Sequence, residues 1–141
     1  MLSTKAKYQY AVCALLAVVF GLFLWSSEGP PNDKQIRTRI ARTWKFERPA
    51  PHFARKGTVT FASDGTYTSQ VTFSLFGDEK TYEVDGTWEV KNGFIDTKVT
   101  TSDNPLAPVG RMTHRKIIHL DNWQFIYEVE NGERMTWKAT K

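Results

Sequence analysis

Few residues in this chain have the type and spacing to do chemistry. His52, His114 and His119 are its only histidines, and Cys13 is its only cysteine. Successive residues of a strand point to opposite faces, so the five-residue spacing of His114 and His119 sends them apart unless a bulge intervenes. His52 sits between Pro51 and Phe53 in a proline-rich stretch. A single cysteine permits no intramolecular disulfide and no thiolate metal cluster. Glu83 with Asp85, and Glu128 with Glu130, are i, i+2 pairs whose side chains share a face. In both cases that face is the hydrophilic one, which makes them solvated charges and not an acid–base couple. No nucleophile elbow, phosphate loop or dinucleotide fingerprint occurs. The expectation is a chain without catalytic, metal-binding or cofactor-binding residues, and therefore not an enzyme.

The elements around these residues are easier to read. The chain has 141 residues, enough for one domain. Without its apolar start about 110 remain, and a domain of that size buries a usable core without disulfides or metals. Aromatic content is 13% and threonine is frequent after Thr58, a composition that suits strands. From the 40s onward hydrophobicity repeats every second residue. Tyr67, Val71, Phe73 and Leu75 alternate with Thr66, Thr68, Gln70, Thr72 and Ser74. Tyr82, Val84, Trp88 and Val90 alternate with Thr81, Glu83, Asp85, Thr87 and Glu89. Such alternation marks strands with one buried and one wet face. Asp64-Gly65, Gly77-Asp78, Asn92-Gly93, Asp121-Asn122 and Asn131-Gly132 supply the positive φ angles of tight hairpins. Eight strands are predicted, over 42–48, 56–63, 66–76, 80–90, 93–101, 111–120, 122–130 and 133–140. Only 101–110, with Pro105 and Pro108, reads as a longer loop. Consecutive hairpins imply up-and-down order, and closure into a barrel removes the exposed edges.

Ahead of the strands, Ala11 to Trp25 carries no charge and follows Lys5 and Lys7. A cleaved signal peptide and a retained membrane helix both fit this pattern. The weak cleavage pairs Leu24/Ser26 and Trp25/Ser27 favour retention. So do Tyr8, Tyr10 and Trp25, placed where aromatic rings settle at the two interfaces of a span. Residues 1–28 are thus expected to be a transmembrane anchor or signal peptide. Residues 29–41 read as a linker and short basic helix, capped at Asn32 or Asp33 and apolar only at Ile36 and Ile40. The β domain covers 42–141. Residues 34–56 carry a net charge of +7 and residues 57–141 a net −3. The basic collar of Lys34, Arg37, Arg39, Arg42 and Lys45 suits anionic lipid headgroups or an acidic partner surface. The acidic main body argues against nucleic acid. Placement of the β domain on the outer, periplasmic side is expected, although the collar pulls the other way under the positive-inside rule.

Ile40-Ala41-Arg42-Thr43-Trp44, Phe61-Ala62-Ser63-Asp64-Gly65-Thr66-Tyr67, Gly86-Thr87-Trp88 with Asn92-Gly93, and the segment from Leu120 to Trp137 resemble motifs of the small, mostly bacterial lipocalin-like domains. The resemblance covers about residues 40–140. It departs at Arg42, where that family usually has glycine. It implies an all-β, eight-stranded antiparallel barrel whose interior holds a small apolar ligand. It also implies a floor closed by Trp44 against Arg134 or Lys138. Alternation turns Trp44, Phe46, Phe61, Tyr67, Phe73, Tyr82, Trp88, Phe125, Tyr127 and Trp137 inward, with Ser69 and Thr97 as small inward polar positions. Eight strands enclose just enough room for side chains or one small ligand. Two functions compete. One is an accessory module docking on a larger membrane protein complex, with Phe76, Phe94, Ile117 and Ile126 as outward contacts; sequence places it narrowly first. The other is a binder of a lipid, pigment or quinone, with these inward residues other than Phe46, eleven in all, as its pocket.

Overall fold

A computed structural model describes residues 31–141. A short helix, α1 (Asp33–Ile40), precedes eight strands. These are β1 (Thr43–Arg48), β2 (Phe53–Phe61), β3 (Thr66–Leu75), β4 (Asp78–Lys91), β5 (Phe94–Ser102), β6 (Met112–Leu120), β7 (Gln124–Glu128) and β8 (Arg134–Ala139). Each pairs antiparallel with its sequence neighbours and β1 pairs with β8, so the sheet closes into an up-and-down barrel. The predicted strands all form, with ends displaced by at most a few residues. The proposed membrane anchor, with Tyr8, Tyr10 and Trp25, lies outside the described residues. Among the described residues no helix is long and apolar enough to cross a membrane.

The turns follow their chemistry except at Asp121-Asn122, which adopts no positive φ and is held instead by the Asp121 carboxylate accepting from the Trp123 and Gln124 amides. Gly65, Gly77, Gly93 and Gly132 all adopt positive φ at the hairpin corners, and Asn92 joins Gly93 in the left-handed region. Closure leaves a short seam. The β3–β4 ladder runs through ten register pairs, whereas β1 and β8 share only Trp44↔Ala139 and Lys45↔Lys138. Beyond these, an Arg48–Glu133 ion pair of 2.7 Å links the far end of β1 to the residue preceding β8.

Two bulges reset the alternation. On β5 the register shifts opposite Asp85 and Gly86, leaving Thr100 unpaired. On β6 it shifts between Ile117 and His119, leaving Ile118 as the extra residue. The second bulge corrects the sequence reading of the histidines. His114 and His119 both end up exposed on the outer face, and each contacts its own carboxylate, Asp96 and Asp121.

α1 seals one end. Asn32 caps it by accepting from the Gln35 N–H, and the Gln35 side chain accepts from the Asn32 N–H in return. Ile36 and Ile40 are buried in the core. Asp33 accepts from the Asn92 and Gly93 amides, which ties the helix to the β4–β5 corner. Beneath the helix lie Trp44, Trp88 and Phe125. The Trp44 indole donates to the Ile40 carbonyl and packs 5.7 Å from Phe125, and the Trp88 indole donates to the Ala62 carbonyl.

Candidate functional site

The opposite end of the barrel is open. A cavity of about 230 Å³ runs inward from it, between the two sides of the sheet and under the β5–β6 loop. Cavities of about 150 Å³ take up benzene, so this one has room for a ring with a substituent or a short acyl chain. Its walls come from inward positions of all eight strands, β1 contributing Phe46, and its cover from Asn104, Leu106 and Ala107.

Of the eleven pocket residues read from sequence, seven line this cavity: Phe61, Tyr67, Ser69, Phe73, Thr97, Tyr127 and Trp137, and the inward Phe46 lines it as well. The other four do not. Trp44, Trp88 and Phe125 are buried in the floor below the cavity. Tyr82 packs edge-on to Phe73 outside the lining, with the Lys80 ammonium 5.0 Å over its ring. The division has a simple cause. Alternation places a side chain inside the barrel but does not fix its height, and α1 fills the lower storey.

The floor also differs from the expected pairing. Trp44 takes its cation from Arg42, whose guanidinium lies 5.8 Å over the ring. Arg134 instead pairs with Glu128, and Lys138 is exposed. The Arg42 guanidinium also donates to the Asn122 carbonyl. The rest of the expected collar sits around this closed end. Arg37 lies over Trp88 at 5.2 Å and donates to the Ser63 carbonyl, while Lys34, Arg39 and Lys45 are exposed. The collar thus combines two structural cations with three solvated ones.

The cavity also holds residues that the sequence reading missed. Arg55 on β2 and Arg115 on β6 are half-buried and point inward, and Arg111 stands at the mouth. Arg55 shares its face with Gly57, Val59 and Phe61, a parity visible in the sequence, but it was absorbed into the basic run. Arg115 lies between the inward Thr113 and Ile117. Aromatic rings hold both guanidiniums. Arg55 lies 5.8 Å over Phe46 and Arg115 5.0 Å over Tyr127. Phe46 stacks on Trp137, and Trp137 meets Tyr127 edge-on at 4.9 Å, so the two cations flank one aromatic wall.

Among the described residues no carboxylate lines the cavity. The five ion pairs among the described residues leave out Arg55, Arg111 and Arg115. The inward hydroxyls are occupied by protein partners: Thr97 with Thr113, and Ser69 with the Thr58 carbonyl. Burial pushes the Tyr67 and Tyr127 phenols up, against the pull of nearby Arg115, so both stay protonated donors at neutral pH. Among the described residues no cluster of histidines and carboxylates is arranged to hold a metal. The chain matches no protein-family model and no curated protein in sequence.

Proposed function

We propose that this chain is a non-catalytic binding protein of lipocalin-like character that holds a small ligand in the open end of its barrel. The observation that carries this reading is the cavity itself. The floor is packed solid, yet above it seven of the inward residues surround open space. A barrel of eight strands can fill its interior with side chains. Leaving space costs packing energy, and a binding role accounts for that cost. In this reading residues 1–28 tether the domain to a membrane and the collar contacts anionic headgroups. The test is native mass spectrometry of the full chain released from its own membrane. A bound small molecule in one-to-one ratio, lost when Ser69→Trp fills the cavity, is the expected result. An empty chain that also takes up no small aromatic probe overturns it.

A second reading, docking on a larger membrane complex, draws on the rim of the open end. Phe76 is 78% exposed and Met112 70% exposed, and Phe53, Leu75, Leu106 and Val109 are exposed at the same end. Clustered exposed apolar surface marks interaction sites. Phe94, by contrast, is half-buried and stacks on His114, and Ile117 packs against the core. Copurification of the full chain with a stable complex supports docking, and migration as a lone monomer in mild detergent overturns it.

A further inference from the structure

The interior was expected to suit an apolar ligand, yet it carries uncompensated positive charge. Arg55 and Arg115 enter the cavity from strands on different sides of the barrel, and Arg111 adds a third guanidinium at the mouth. The Arg55 Nε atom is the only buried side-chain nitrogen or oxygen among the described residues that lacks a hydrogen-bond partner. An unpaired, partly desolvated cation is costly, and rings beneath it offset only part of that cost. The inward hydroxyls of Ser69, Thr97 and Thr113 are already paired within the protein, and the Tyr67 and Tyr127 phenols stay neutral and supply no compensating charge. The acids are elsewhere: Asp85 and Asp96 lie on outward positions, Glu133 is engaged by Arg48, and Glu128 by Arg134.

We propose that the ligand is an organic oxyanion, with its charged head between Arg55 and Arg115 and its ring or short acyl chain against Val59, Val84 and Val99. Guanidinium groups present paired N–H donors in a fork that matches a carboxylate or a phosphate ester. The head satisfies the orphaned Arg55 Nε–H, and a body no larger than a substituted ring fits the remaining volume. This inference rests on the binding role proposed above and sharpens it by naming the ligand class.

The experiment compares two soluble probes that differ only in the head, 3-phenylpropanoate and 3-phenylpropan-1-ol. Both are titrated calorimetrically into the full chain in zwitterionic nanodiscs, with empty nanodiscs as the blank. The carboxylate should bind at least about ten-fold tighter than the alcohol, the scale of a charge-assisted hydrogen bond. Arg55→Met and Arg115→Met should each erase most of that preference, weakening the carboxylate much more than the alcohol, while Arg55→Lys keeps part of it. In ¹⁵N spectra the Arg55 Nε–H resonance should move with the carboxylate and stay put with the alcohol, a readout that needs no variant to fold. Equal binding of both probes, with a stationary Arg55 signal, overturns the oxyanion inference and leaves the binding role standing. Failure of both probes to bind removes the two together. A phenyl phosphate arm separates the head types: tighter binding than the carboxylate assigns a phosphate ester.

Discussion

At the scale of single residues, two positions carry consequences that differ in kind. Gly86 on β4 is buried beneath Tyr67. A Cβ there would press on the Lys98 carbonyl oxygen and lie 2.5 Å from Tyr67 Cε1. Gly86→Ala must therefore displace a backbone or a cavity-lining ring, and overpacking of this kind costs about 2 kcal/mol. Urea unfolding should show a lower midpoint with an unchanged slope. Asp121 in the β6–β7 corner accepts from His119 and from the Trp123 and Gln124 amides, which lowers its pKa to about 2. Because the folded value is depressed, its stabilising contribution is complete above the unfolded value of about 4 and disappears as pH falls through about 2. Asp121→Asn should flatten that part of an acid-unfolding profile and lower the stability measured at pH 7, where the carboxylate's contribution is complete. The residue scale is also where sequence legibility was weakest. Arg55 and Arg115 sit at inward parity, but a cation at such a position reads as a surface residue until the opposite wall is known to lack acids.

At the scale of elements, alternation carried the fold well because each hairpin encodes its own register. Turn pairs with positive φ fix where one strand ends and the next begins, so all eight strands and α1 were legible. The bulges were not. A bulge depends on the twist demanded by closure, a property of the whole sheet, and nothing local to Ile118 announces it. The side-chain direction of His119 was misread for that reason. The role of α1 was also hidden. Its two apolar residues look too few to matter, yet Ile36 and Ile40 complete the floor with Trp44. Ile40 is fully buried, so Ile40→Ala should cost about 3 kcal/mol. Its effect should be largest on the floor: fluorescence of Trp44 and Trp88 should shift to the red before the strands melt in far-ultraviolet dichroism.

At the scale of the whole molecule, the barrel is closed unevenly. With only two register pairs joining β1 to β8, against ten between β3 and β4, local opening should begin at this seam. Hydrogen exchange should be fastest for the β8 amides and slowest for those of β3 and β4; uniform protection around the barrel would count against the uneven closure. Above the two pairs, the seam is spanned by a partly exposed ion pair, Arg48 with Glu133, of the sort that contributes about 0–1 kcal/mol and weakens with salt. So weak a bond cannot govern global stability, and Glu133→Gln should leave the unfolding midpoint almost unchanged. It stands, however, at the rim of a vessel whose opposite end is plugged. In the binding role proposed above, the contact would serve as a latch across the short β1–β8 seam. Glu133→Gln should hasten both filling and emptying without altering which occupant is preferred, so the rim contact would set how long a guest stays and the charges within its identity.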